Sequence, residues 1–289
     1  MKSIMSAILA AGFRMKEKLN EEETESGFRL LLQQDEAPSD PPKTIQTRYT
    51  DNINGRIFYA NEETASKYIV FYMHGGGYAH DFSPFHWRFL KMLIEKTDAM
   101  VIAPAYRLVP YATWKEAFDL IIPVYKEITE SDPEKKFILM GDSAGGGLSL
   151  ALAEQIKSDG ARMPDELILL SPWVDASMEN PDVENYQDED PWLSVPWLKV
   201  CGRYWAGDLD LHDFHVSPVN GNLKGIGNIT VFSGTKEVFY PDLMKFWELI
   251  KDDSTNELVV GEDMMHVYPL MPIPEAKPAC DLIFRKIMR

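Results

Sequence analysis

Two short segments of the chain carry the residue types that acyl transfer requires, in a workable order. Gly141-Asp142-Ser143-Ala144-Gly145 sets a serine hydroxyl among glycines, and His74-Gly75-Gly76-Gly77 lies upstream of it. A serine is a weak nucleophile until a base takes its proton and something receives the charge on the attacked carbonyl oxygen. Glycines two residues either side of Ser143 give room for a sharp strand-to-helix turn that would present the hydroxyl. The glycine run can bring bare backbone N–H groups close to a ligand. We therefore expect Gly76, Gly77 and Ala144 to donate to an oxyanion, and His74 and Gly75 to support that loop rather than move protons.

With such a nucleophile the chain order should be serine, then a carboxylate, then histidine. Past residue 216 the sole histidine is His266, just beyond the last expected strand, so it is the expected general base. The acid should sit in the loop after the strand that ends near Ser233-Gly234, which favours Glu237. Asp242 opens a helix behind Pro241 and stays open as the alternative acid, its other reading being a first-turn carboxylate held by the helix dipole. Asp263 ranks third because it is so close in sequence to His266.

Elements of regular length surround these residues. Apolar runs at Tyr68–Met73, Met100–Ala103, Phe137–Met140, Leu167–Leu170, Ile229–Ser233 and Leu258–Val260 predict strands. They alternate with expected helices at about 84–97, 112–130, 144–158, 242–251 and 275–288, and runs at 44–50 and 55–60 suggest a hairpin. The alternation predicts an α/β fold: a mostly parallel central sheet of about eight strands, flanked by helices. Residues 176–216 are too long for a simple crossover and hold Trp192, Trp197, Tyr204 and Trp205. We expect them, with residues 1 to about 40, to form a helical cap on one α/β domain spanning 1–289. Ile4, Ile8, Ala11 and Met15 fit one face of an amphipathic N-terminal helix. Tyr78, Trp192 and Trp197 are the expected pocket aromatics.

Composition narrows the partners. The chain has 289 residues and a net charge of −16, from 29 basic and 45 acidic side chains. That balance disfavours nucleic acid and anionic membrane surfaces. No apolar stretch approaches the roughly 20 residues of a membrane span. Cys201 and Cys280 are far apart, with no cysteine or histidine cluster, so free buried thiols in a cytoplasmic protein are expected. Nothing in the sequence fixes the oligomeric state, and a homodimer is open.

The motifs resemble the hormone-sensitive lipase family of carboxylesterases, within the α/β-hydrolase superfamily. The likeness runs from about residue 65 to 270. Besides His74–Tyr78 and Gly141–Gly146 it rests on Tyr106-Arg107-Leu108 with Pro110, Ala117 and Asp119, Ser171-Pro172-Trp173-Val174-Asp175, and Ser217-Pro218. The resemblance implies Ser143 as nucleophile, His266 as base and a cap built as above. It also implies short- to medium-chain acyl esters as substrates, an acyl-enzyme intermediate, and no metal or organic cofactor. The family's acid is most often Asp where this chain has Glu237, which keeps Asp242 in view. Ala105 and Tyr111 also replace a residue that is commonly acidic there. A peptidase of the same fold and a non-catalytic hormone-receptor-like homologue are the alternatives; such receptors lose the histidine that is present here.

Overall fold

The computed structural model describes residues 3–14, 26–28, 40–63 and 67–289. The rest of the expected N-terminal helical segment, Met15 included, lies outside the described residues.

Strands without polar interruption need cover on both faces, and the chain supplies it. Among the described residues eight strands form one sheet: β1 (Thr47–Asn52), β2 (Gly55–Ala60), β3 (Tyr68–Met73), β4 (Met100–Tyr106), β5 (Lys136–Asp142), β6 (Glu166–Leu170), β7 (Ile229–Lys236) and β8 (Glu257–Met265). Their spatial order is β1-β2-β4-β3-β5-β6-β7-β8. β1 and β2 form a hairpin around Ile53-Asn54, β2 runs antiparallel to β4, and every later pairing is parallel. Parallel neighbours need helical crossovers, so each strand from β3 to β7 leaves the sheet at its carboxyl end. Loops gathered at that edge can hold a site.

The period-two alternation of side chains divides the core. Phe71, Leu139 and Leu169 pack on one face with Ile121 of α3 (Trp114–Ser131) and Leu150 of α4 (Ser143–Ser158). Their neighbours Val70, Ile138 and Ile168 pack on the other with Leu93 of α2 (Pro84–Thr97) and Ile283 of α7 (Ala276–Met288). Capping boxes start two of these helices, Ser83 with His86 in α2 and Thr113 with Glu116 in α3. The start of α4 has no side-chain cap, leaving its first N–H groups for another acceptor.

Three features depart from the sequence expectation. Residues 176–216, expected as part of a helical cap, contain a helix, α5 (Val195–Ala206), whose bounds were not expected; Pro196 at its start hides the apolar period that Leu198, Cys201 and Trp205 continue into the core. The last strand, β8, is three times the expected length and, past an irregularity opposite Gly234–Lys236, carries the chain directly to His266. The face assigned to the N-terminal helix α1 (Ile4–Arg14) is reversed. Ile4 is 81% and Ile8 68% exposed, whereas Ala10 is buried and Phe13 half-buried. Both sides of this helix are apolar, so periodicity alone does not say which side faces the protein. A further helix, α6 (Tyr240–Ile250), begins close to its expected place.

Candidate active site

β5 ends at Asp142, and the chain turns into α4 through Ser143, whose φ of +53° lies in the left-handed region. A side chain rarely tolerates that conformation, so the turn is held by packing around it. The flanking glycines make that packing possible. A Cβ on Gly141 would come within 2.2 Å of Gly145 O, and one on Gly145 within 2.2 Å of Met73 O.

The Ser143 hydroxyl donates to His266 Nε2 at 2.8 Å, and His266 Nδ1 donates to Glu237 Oε2 at 2.6 Å. Glu237 is wholly buried, and its other oxygen accepts the Ser233 hydroxyl at 2.6 Å and the Gly234 N–H at 3.0 Å. A carboxylate so placed keeps the imidazole proton on Nδ1 and leaves Nε2 free to accept. The three residues thus form one chain of hydrogen bonds, from three separate loops. Asp242 is not part of it: Asn180 Nδ2 donates to Asp242 Oδ1 at 2.6 Å, and burial pushes this carboxyl up to about 6 despite that bond. Asp263 lies in β8, its N–H donating to Thr235 Oγ1 at 2.9 Å.

The glycine loop is fixed from below. Asp142 Oδ1 accepts the Gly75 N–H at 3.0 Å and the Tyr72 hydroxyl at 2.6 Å. The Ser83 N–H donates to His86 Nδ1 at 2.8 Å, so the His86 proton sits on Nε2 and faces Asp142 Oδ2 at 3.2 Å. Burial alone would raise the Asp142 carboxyl, but His86, Tyr72 and Gly75 outweigh it and hold it below the usual range. Asp142, which precedes Ser143, therefore ties the Ser143 turn to the glycine loop. His74 Nδ1 donates to Gly75 O at 2.7 Å, its ring stacks on Tyr106, and burial lowers its pKa. Gly76 and Gly77 have φ of +116° and +63°, and a Cβ on Gly76 would meet His80 O at 2.4 Å. Ala144 is fully buried in the uncapped first turn of α4.

A cavity of about 500 Å³ opens onto Ser143, His266, Gly76 and Gly77, with Phe13, Trp192, Trp197, Leu198, Leu270 and Met271 among its walls. Trp192 packs its edge against the His266 ring, centroids 5.9 Å apart, and Phe13 stacks on Trp192. Tyr78 is a correction: it is 1% exposed, stacked on Trp205 at 3.9 Å and near Trp173, and does not line the cavity. Its ring fills the space between the glycine loop and α5. Sequence reading also missed the Asp142–His86 tie, the Ser233 support and the buried Asp190. The last accepts the N–H groups of Trp192 at 2.8 Å, Leu193 at 2.9 Å and Val238 at 2.9 Å. An aspartate two residues ahead of a cavity tryptophan was the one available signal for it.

Residues 70–270 match the profile of a family described as alpha/beta hydrolase fold. An esterase of Acinetobacter venetianus is 29% identical over 213 residues, 73% of this chain and 70% of the relative. An acetyl-hydrolase of Streptomyces hygroscopicus is 29% identical over 60% of this chain, which spans 58% of that protein. A crystal structure of a hormone-sensitive lipase from a metagenome library superposes with a TM-score of 0.82 at 23% identity, over 100% of this chain and 99% of the other.

Proposed function

The chain belongs to the alpha/beta-hydrolase-fold family, among esterases of the hormone-sensitive lipase kind, and on that premise we propose that it is a serine carboxylesterase acting on short- to medium-chain acyl esters. The observation that carries this reading is the hydrogen-bonded chain Ser143–His266–Glu237 opening into a cavity beside an uncapped helix start.

In the proposed cycle His266 Nε2 takes the Ser143 proton as Oγ attacks the ester carbonyl. The oxyanion is received by the N–H groups of Gly76, Gly77 and Ala144. The imidazolium, held by Glu237, then protonates the departing alcohol. Water, deprotonated by the same nitrogen, attacks the acyl-enzyme; the bond to Oγ breaks, the imidazolium returns the proton to Ser143, and the acid leaves. An elbow and glycine loop tied through Asp142 support this assignment, because an oxyanion site must be fixed before the charge appears. The described residues of 1–40 and the segment 176–216 act as the cap in this reading. Phe13 and Trp192, one from each, meet over His266 and support it.

A cavity of about 500 Å³ with largely apolar walls suits a small ester better than a long acyl chain, and a relative that is an acetyl-hydrolase agrees. Among the described residues no helix is long and apolar enough to cross a membrane. Two buried free thiols support a cytoplasmic location, the acidic balance disfavours nucleic acid as a partner, and sedimentation would decide on a homodimer. The test is a panel of p-nitrophenyl esters from acetate to laurate, with a peptide amide as control. Hydrolysis should be greatest on the short esters and absent in Ser143→Ala; turnover that survives this substitution, or that favours the amide, would refute the reading.

A further inference from the structure

Asp190 has no step in the cycle above, yet it is a fully buried carboxylate beside the groups that do. Its Oδ1 accepts the N–H groups of Trp192 and Leu193, and its Oδ2 that of Val238. Val238 follows Glu237 in the chain, and Trp192 lies against the His266 ring. One side chain thus joins the wall of the cavity to the loop that carries the acid. Three N–H donors on a carboxylate favour its ionised form. Burial acts the other way and raises its pKa, while His266 and the N–H donors draw it back. A buried anion in this position gains most when the neighbouring imidazole takes up a proton, which is when the serine attacks.

Resting on the serine-esterase reading, we infer that Asp190 is a positioning residue for His266. It fixes the Glu237–Val238 turn against the cavity wall, and it adds a second negative charge that favours the imidazolium. The groups around His266 are Ser143 from the elbow, Glu237 and the Phe239 ring from the loop after β7, and Asp190 and Trp192 from the insertion. Tyr268, which follows His266 closely, feels the charge of Glu237 and is held neutral by burial, its pKa pushed up to about 12. Of these groups, Glu237 and Asp190 bring the negative charge.

The test is Asp190→Asn, which keeps the shape, removes the charge, and turns an amide N–H₂ toward at least one backbone donor. With p-nitrophenyl butyrate, kcat should fall roughly tenfold or more, a loss in the reacting state rather than in KM alone. The acid limb of kcat/KM should move to lower pH, because an imidazolium with less negative charge nearby gives up its proton more readily. Asp242→Asn removes a buried carboxyl that bonds to Asn180 rather than to the loop around His266, so its limb should stay at the wild-type pH. A limb unmoved in Asp190→Asn, a change confined to KM, or an equal shift in Asp242→Asn would overturn the inference. If the Asn variant does not fold, Asp190→Glu carries the test: charge kept, its limb should stay in place, and a limb that moves overturns the idea. Wild type that hydrolyses no ester and leaves Ser143 unlabelled by a fluorophosphonate would remove the esterase reading and this inference together.

Discussion

Glu237→Gln separates geometry from charge in the proposed triad. The amide has the same shape but a single acceptor oxygen, whereas Glu237 presents two: one to Ser233 and Gly234, one to His266. If the glutamine oxygen stays with Ser233 and Gly234, its N–H₂ faces His266 Nδ1. The imidazole must then accept at Nδ1 and carry its proton on Nε2, where it can no longer take one from Ser143. An isosteric amide that forces the wrong tautomer costs about 10⁴ in kcat, or about 5.5 kcal/mol at 1.36 kcal/mol per tenfold. If the amide flips, the tautomer is correct, but the Gly234 N–H meets a donor in a buried site, at about 1–3 kcal/mol. That penalty, with the lost charge behind the imidazolium, still leaves a fall of roughly 10²-fold or more. The expected kcat on p-nitrophenyl butyrate is therefore about 10²- to 10⁴-fold below wild type, with a melting temperature within a few degrees of it. Asp242→Asn, measured alongside, should stay within a few-fold of wild type, since its carboxyl bonds to Asn180 instead. An active Glu237→Gln beside an inactive Asp242→Asn would refute the reasoning.

Further outcomes follow from other sites. Gly76→Ala places a Cβ at φ +116° within 2.4 Å of His80 O, so kcat should fall by at least the roughly 10²-fold typical of one lost oxyanion donor, read in steady-state kinetics. Trp192→Ala removes the ring between Phe13 and His266; the ester panel should then shift toward longer acyl chains, and an unchanged profile would take Trp192 out of the pocket wall. Glu154 is buried on α4 and its pKa is pushed up to about 8, chiefly by burial. Its folded pKa exceeds the unfolded value, so the folded state holds a proton that the unfolded chain has lost. Stability from this group is full below about pH 4.5 and declines as pH rises toward 8. Glu154→Gln should therefore leave the melting temperature unchanged near pH 4 and raise it at pH 8–9, as thermal melts across that range would show.

Much of this architecture was legible because its signals are local. β3, β5 and β6 are continuous apolar runs, and Gly141 and Gly145 announce a tight turn whose need for glycine is steric. His266 and Glu237 were paired as candidates from chain order and from the ends of strands, and the structure joins their side chains at 2.6 Å. What was not legible depends on tertiary contacts. α1 is apolar on both sides, so the period of Ile4, Ile8 and Ala11 identified a helix but not the face it buries. Tyr78 stands next to the glycine loop in sequence, yet its ring turns away from the cavity to meet Trp205. Asp142, His86 and Asp190 work through partners 48 to 70 residues away, and no spacing rule connects them.

The central claim is that one serine hydroxyl, activated by one imidazole, reacts in this cavity. Peptide mapping after a fluorophosphonate reaction tests it most directly. A single phosphonyl adduct on Ser143 is expected in wild type, formed far more slowly in His266→Ala and not at all in Ser143→Ala. An adduct on another residue, or labelling of Ser143 at the wild-type rate without His266, would contradict it.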